Sequence, residues 1–363
     1  MFGLGKNTFL GIDIGTSNIK IVELKVSGNK PILTNYAWTY LDGLMGDRDL
    51  KSSYFDTVLP EYMKRMLNEA KMKGKQAHFS IPAFGGLITL IEFPEMTEED
   101  LDQAIKFEAH KYIPTNLDEV VLSWDIVKKS NSKNSIIGQP KKQPDQSGKE
   151  KNQVLLVAAP KSKVAKYEKL ARDLKLELKS IEIESFSLVR SLIGNDQGNF
   201  IIIDIGSRVC NIILVEKGVI KANRNIDAGG QEISKAISKS MNIDSDRAEK
   251  LKISGKNFLD GESSIKFPTL ELIVGEISRI LGAYYKDGSD HALDGLILSG
   301  GTAGFPGLQE YFSKALNVKS IVGNPLGRIE YDKRLEPKMK EVMDQFSVAI
   351  GLALKGVEDY LRK

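Results

Sequence analysis

Two segments of this chain, half its length apart, carry the same pattern. LGIDIGTSNIKIV occupies residues 10–22 and IIIDIGSRVCNII residues 201–213. Setting Asp13 on Asp204 puts Ile14 on Ile205, Gly15 on Gly206 and Thr16 on Ser207. Each copy is an apolar run, Asp-Ile-Gly, a hydroxyl residue and a second apolar run, which predicts strand, tight turn and strand. Two copies at this separation imply paired lobes, not a stack of short repeats.

The chemistry of such a turn is specific. Glycine admits positive φ and close approach of a ligand to the backbone, so both are expected at Gly15 and Gly206. Successive backbone N–H groups and the hydroxyl of Thr16 or Ser207 can cradle phosphate oxygens. Asp13 and Asp204, each ending a first strand, can hold Mg²⁺ through waters, because magnesium dehydrates reluctantly. Lys20 adds a cation beyond the first turn. A single copy would read equally well as an ordinary hairpin; the duplication favours a phosphate clamp.

A third element follows the same logic. Residues 295–308, GLILSGGTAGFPGL, read as a buried strand running into a glycine-rich loop, with a helix at 308–316. Bare backbone at Gly300 and Gly301 lets a base or ribose pack closely. No G-x-x-x-x-G-K-[S/T] occurs, and no G-x-G-x-x-G follows a strand, so neither the P-loop nor the dinucleotide fingerprint is present. One cysteine, Cys210, excludes a disulfide framework and reads as a small apolar strand residue. His78, His110 and His291 lack metal-ligand spacing. No apolar run reaches the roughly 18 residues of a membrane span, and the first residues lack a signal-peptide pattern. These features predict a cytoplasmic α/β protein.

The three elements, in this order and spacing, resemble the superfamily of actin, heat-shock chaperone and sugar-kinase ATPases. The resemblance implies two ribonuclease-H-like lobes around a nucleotide cleft, with ATP and Mg²⁺ bound. It implies that Asp13 and Asp204 serve the metal, and that Gly15, Thr16, Ser17, Asn18, Lys20, Gly206 and Ser207 contact phosphates. Gly300, Gly301 and Phe305 would serve the nucleoside. Glu249 and Lys252, three apart on one helix face, match the pair that contacts adenine and ribose in this superfamily; such a pair is otherwise a solvated face.

Residues 77–126 narrow the resemblance. Strands are expected at 78–82 and 87–93, then a helix over 98–112 with Thr97 as N-cap and Asp100 completing a capping box. The helix places Leu101, Ile105, Glu108 and Tyr112 on one stripe, and a strand follows at 119–127. This segment resembles the inserted subdomain of the FtsA-like branch. The run PEMTEEDLDQAIKFEAHKYIP, with IESFSL at 183–188 and VAIGLAL at 348–354, resembles the PilM-like family of type IV pilus assembly proteins. That resemblance implies a scaffold at the cytoplasmic face of the inner membrane. It would bind the N-terminal peptide of a PilN-like bitopic membrane protein in a groove between the first lobe and the inserted subdomain. It would also link that partner to the pilus motor ATPases and platform proteins.

The implied organisation is a first lobe over 1–76, including a helix at 54–72, completed by 160–185 and 341–363. The inserted subdomain spans 77–159, the second lobe 186–228 and 271–340, and an outer subdomain 229–270. Within the insertion, 128–152 holds seven lysines and two acids among Ser, Asn, Gln and Pro. Such a segment predicts a disordered loop, either a solvated linker or one attracted to anionic lipid. Its net +5 exceeds the chain's total of +3, leaving −2 for the rest, so no broad basic surface for nucleic acid is implied.

Departures from the superfamily pattern bear on turnover. Many relatives carry Gly-Gly-Thr-Thr-Asp in the second hairpin, where this chain has Gly206, Ser207, Arg208, Val209, Cys210 and Asn211. Arg208 reads either as a phosphate contact or as a surface side chain. Hydrolysis needs a group that orients water, and only Glu184, between the lobes, offers itself. Nucleotide binding with weak or no hydrolysis is therefore expected. Two other readings stay open: a filament-forming FtsA-like protein, although the charged C-terminal residues do not suit a membrane helix, and a small-molecule kinase, which needs an Asp base facing the cleft.

Overall fold

The computed structural model describes residues 7–41, 54–128, 151–284 and 292–363. The repeat read from the sequence is a repeat of whole sheets. Strands β1 (Thr8–Ile14), β2 (Asn18–Ser27), β3 (Lys30–Tyr40), β4 (Gln76–Ile81) and β8 (Glu177–Ile183) form one five-stranded sheet in the order β3-β2-β1-β4-β8. Strands β9 (Asn199–Ile205), β10 (Cys210–Glu216), β11 (Val219–Ile226), β12 (Gly295–Ser299) and β13 (Ser320–Val322) form another, in the order β11-β10-β9-β12-β13. In each, the first three strands are antiparallel neighbours and the last two run parallel to the first. The correspondence extends to register. Asp13 faces Lys20 and Asp204 faces Asn211, and a bulge follows Glu23 in one sheet and Leu214 in the other, each ten residues past its aspartate.

The chain divides into two compact units, residues 1–83 with 165–363, and residues 84–164. The first unit holds both five-stranded sheets. One face of the first sheet is covered by helix α10 (Ser347–Leu361), whose apolar run packs on β1, β2 and β4 and against α4 (Glu184–Leu192). Val22, Leu24, Phe346, Ile350 and Ala353 meet there. The apolar run 346–354 is therefore a core helix, and no helix among the described residues is long and apolar enough to cross a membrane. Phe55 and Phe79 pack on Tyr167 of α3 (Lys161–Asp173). The helix expected over 54–72 is a π-helical turn at Tyr54–Val58 followed by α1 (Leu59–Glu69), with Pro60 at its start.

The second sheet packs Ile201, Ile203, Ile212 and Leu214 against α5 (Gly230–Met241), α7 (Pro268–Tyr284) and α8 (Leu308–Leu316) through Ile233, Ile237, Ile273, Ile277 and Phe312. Full burial of each such side chain contributes about 1.5–3 kcal/mol. Helix α6 (Ser245–Ile253) packs on α5, and α9 (Glu336–Val342) leads into α10.

The second unit is an antiparallel sheet in the order β5-β7-β6, from β5 (Leu87–Pro94), β6 (Val120–Lys128) and β7 (Lys151–Pro160). Helix α2 (Glu98–Ala109) lies on one face through Leu101 and Ile105, against Ile91, Phe93, Val154 and Leu156. Thr97 caps it: its hydroxyl oxygen accepts from the Asp100 N–H (3.2 Å), while the hydroxyl donates to the Asp100 carboxylate (2.7 Å). The helix stops three residues before the expected 112, because the Lys111 and Tyr112 N–H groups bond three residues back, to Glu108 and Ala109, and the α-helical pattern is lost. Tyr112 is accordingly exposed, off the buried stripe. Of the lysine-rich segment only the ends are described, Lys128 closing β6 and Lys151 with Asn152 opening β7; the expectation of disorder falls on residues outside the described ones.

Candidate nucleotide and metal site

Both hairpins close with one backbone bond. The Gly15 N–H donates to the Asn18 carbonyl (2.9 Å), and the Gly206 N–H donates to the Val209 carbonyl (3.0 Å). Neither glycine has positive φ, contrary to expectation. Glycine is favoured because a Cβ would crowd the closing carbonyl, at 3.2 Å from Asn18 O in the first turn and 3.0 Å from Val209 O in the second. Positive φ occurs instead at Gly300 (86°), where a Cβ would fall 2.5 Å from the Ile205 carbonyl oxygen. That close approach, with a Thr302 N–H to Ile205 O bond of 3.3 Å, lays the glycine loop on the end of β9.

Charge gathers where the strands end. Asp13 pairs with Lys20, its cross-strand neighbour, at 3.3 Å, and both side chains are largely buried. The Ser80 hydroxyl lies 3.4 Å from the other Asp13 oxygen. Among the described residues Asp204 has no such partner, since the residue opposite is the neutral Asn211. Burial lifts its carboxyl to about 6, against a lowering by Ser299 and Lys20, and Asp13 adds repulsion. Glu184, at the start of α4, accepts from the Ala83 N–H (3.0 Å). Burial, with Asp204 and Asp13 nearby, raises it to about 8.

Sequence reasoning missed Asp344, in the turn Met343–Phe346 that leads into α10. Its carbonyl accepts from the Gly300 N–H (3.1 Å), and burial raises its carboxyl to about 6, with Lys20 opposing and Asp204 adding. The available signal was an aspartate three residues before the helix that opens with the apolar run 348–354. Lys20 thus opposes the raised carboxyls of Asp204, Glu184 and Asp344 alike.

The remaining sequence candidates fall into three settings. Thr16, Ser17 and Asn18 of the first turn, and Ser207 and Arg208 of the second, are partly exposed. Glu249 and Lys252 pair with each other (2.8 Å); Lys252 is buried, and its ammonium also donates to the Gly230 carbonyl (3.1 Å). Gly230 and Gln231 in turn donate to the carbonyls of Gly206 and Ser207 (both 2.9 Å), so Lys252 is joined to the second hairpin through the start of α5. Gly301 lies beside Gln345. The Phe305 ring is buried against Phe258 and Phe267 in the second core, so this position offers a ligand backbone, not ring. Cys210 is buried on β10.

The donor set fits a hydrated divalent cation. Among the described residues no three His, Cys, Asp or Glu side chains converge as a direct cage. Asp13 and Asp204 instead offer carboxylates from equivalent strand ends, and the second lacks a cation of its own. Outer-sphere contact through waters suits magnesium.

Two sheets of one topology, each turning an aspartate-bearing hairpin toward a common charged centre, define an actin-like ATPase fold. A solved structure described as a PilM-PilN type IV pilus biogenesis complex is similar, with a TM-score of 0.77 and 26% identity, over 96% of this chain and 98% of that one. The family model described as type IV pilus assembly protein PilM matches residues 11–357, and the chain belongs to that family. The ethanolamine utilization protein EutJ from Carboxydothermus hydrogenoformans shares the fold, with a TM-score of 0.54 and 17% identity over 96% of this chain and 89% of that one.

Proposed function

We propose that this protein is an ATP-binding scaffold of the type IV pilus inner-membrane platform. It binds the N-terminal cytoplasmic peptide of a PilN-like membrane protein and connects it to the pilus motor. The observation that supports the nucleotide is the pairing of equivalent aspartates, one neutralised by Lys20 and one not. Asp204, with Asp13, would hold Mg²⁺ carried with the nucleotide, whose positive charge would answer the uncompensated carboxylate. Thr16, Ser17 and the backbone of both turns would hold the phosphates, Lys20 would face them, and the Gly300–Gly301 backbone would meet the nucleoside. Glu249 and Lys252 would border the base side.

Turnover is expected to be weak. A group that orients or deprotonates water must accept a hydrogen bond or proton. Glu184, lifted to about 8, is protonated at neutral pH in the free protein. Of its two oxygens one already accepts from the Ala83 N–H, and the proton makes the group a poor base toward water. The partner reading rests on family membership and on the similarity to a structure described as a complex with PilN. The protein would work peripherally, on the cytoplasmic face of the inner membrane.

Calorimetry with a PilN-type N-terminal peptide, with and without Mg-ATP, tests both parts. Saturable peptide binding and a separate Mg²⁺-dependent ATP isotherm are expected. Absence of the first overturns the partner, and absence of the second overturns the nucleotide.

A further inference from the structure

Among the described residues, the second half of β3 is an open sheet edge. β3 pairs with β2 on one side only. The Leu41 N–H donates to the Ser17 carbonyl (2.8 Å), and antiparallel alternation back from there turns the backbone groups of Tyr36, Trp38 and Tyr40 away from β2. Nearer its start the same edge is already used. The Leu33 N–H donates to the Glu330 carbonyl, and the Glu330 N–H donates to the Pro31 carbonyl, both at 2.8 Å, so an extended segment runs parallel to β3 at Ile32. Past Leu33 the outward groups meet no backbone partner among the described residues.

A cleft of about 360 Å³ lies beside this bare stretch, between β3 and α1. Ala37, Trp38, Tyr62 and Met66 supply its apolar lining, and Arg65 and Glu69 its charges. Trp38 is 41% exposed and Tyr40 57%. The Arg65 guanidinium lies over the Tyr62 ring, 5.3 Å from its centre, and makes no ion pair among the described residues. Among the described residues Glu69, one helical turn on, makes no ion pair either. Unpaired aromatic-rich edges are templates for strand addition, with backbone bonds giving affinity and side-chain pockets giving selectivity.

We propose that residues 36–40 and this cleft are a docking site for an extended segment of another protein, carrying an apolar anchor and, two residues away, a carboxylate. The segment adds to β3 as a strand. Its anchor seats on Tyr62 and Met66, on the α1 side of the sheet, and its carboxylate pairs with Arg65, a spacing that keeps both on one face of the strand; the Trp38 ring lies on the other face, edge-on to Phe346. Glu69 repels a carboxylate at the far end of the cleft and so fixes direction. The site belongs wholly to the first unit and does not rest on the PilN-type peptide reading.

The test uses the full chain with Trp124→Phe, which leaves Trp38 as the sole tryptophan reporter. The probes are a synthetic heptapeptide with a central Phe followed two residues later by Asp, and its twin with Lys in place of Asp. The Asp peptide is expected to shift Trp38 emission to the blue saturably and to slow amide exchange at Tyr36, Trp38 and Tyr40. Affinity should fall at least about tenfold for the Lys twin, the size of one lost charge-assisted contact. Arg65→Glu, at an exposed position, should reverse the preference between the two peptides. No saturable shift with either peptide, equal binding of both that ignores Arg65→Glu, or burial of Trp38 by self-association of the bare protein would overturn the proposal.

Discussion

The two hairpins share a turn, a register and a strand order, and differ in who answers the aspartate. In the first, position 20 across from Asp13 is a lysine that pairs with it at 3.3 Å. In the second, the same position is Asn211, which donates to the Ser185 hydroxyl (3.1 Å) and brings no charge. Asp204 is consequently held at about 6 by burial. The second turn is also held from outside, through the Gly230 and Gln231 N–H groups. One aspartate is paired with a lysine and the other faces a neutral amide, so a symmetric backbone carries an asymmetric site. If the proposed nucleotide site is right, this uncompensated carboxyl lowers stability in return for function.

Removing the completed side should cost most. Lys20→Met is expected to weaken Mg-ATP binding by about 10- to 100-fold, the size of a lost charge-assisted contact. Asn211→Ala should change affinity by less than about threefold, because its partner is Ser185, a residue of the protein. Calorimetry reads both.

Backbone clamping should differ next. A Cβ on Gly229 would fall 2.6 Å from the Gly206 carbonyl oxygen, against 3.2 Å for Gly15 and the Asn18 carbonyl. Overpacking of this kind costs about 1–3 kcal/mol. Urea unfolding should place Gly229→Ala at the upper end and Gly15→Ala at the lower.

The smallest effect is in pH dependence. Asp204 and Asp344 at about 6 and Glu184 at about 8 all bind their protons more tightly folded than unfolded. Their contribution is fully present below about pH 4 and is lost as pH rises, through 6 for the aspartates and 8 for Glu184. Glu184→Gln should remove the fall between pH 6 and 8, a change on the order of 1 kcal/mol, and should make the fall between pH 4 and 6 shallower, where the two aspartates still act. Chemical denaturation across that range reads the slopes.

Local pattern made much of this legible. The strand at 295–299, the helix at 308–316 and the Thr97 cap follow from alternation, spacing and capping chemistry, which act within a few residues. The hairpins were legible because each was written twice. Asp344 was not, because it meets Gly300 and Lys20 only after the chain returns from more than 300 residues beyond β1. Phe305 misled for a related reason. The glycine loop predicts an open backbone, but Phe258 and Phe267, which decide where the ring points, lie 47 and 38 residues earlier. The pairing of Lys252 with Gly230 likewise depends on α5 and α6 folding onto one another. The register that set Asp13 against Lys20 and Asp204 against Asn211 was present in the aligned segments, but its electrostatic meaning needed the burial of both sites.

The asymmetry is tested most directly by the stability of nucleotide-free, magnesium-free protein at pH 7 with Asp13→Asn and with Asp204→Asn. Asp13→Asn strips a largely buried lysine of its partner and should lower the melting temperature. Asp204→Asn removes a carboxyl that burial disfavours and should raise it. Loss of stability in both variants, or a loss confined to Asp204→Asn, would contradict the account.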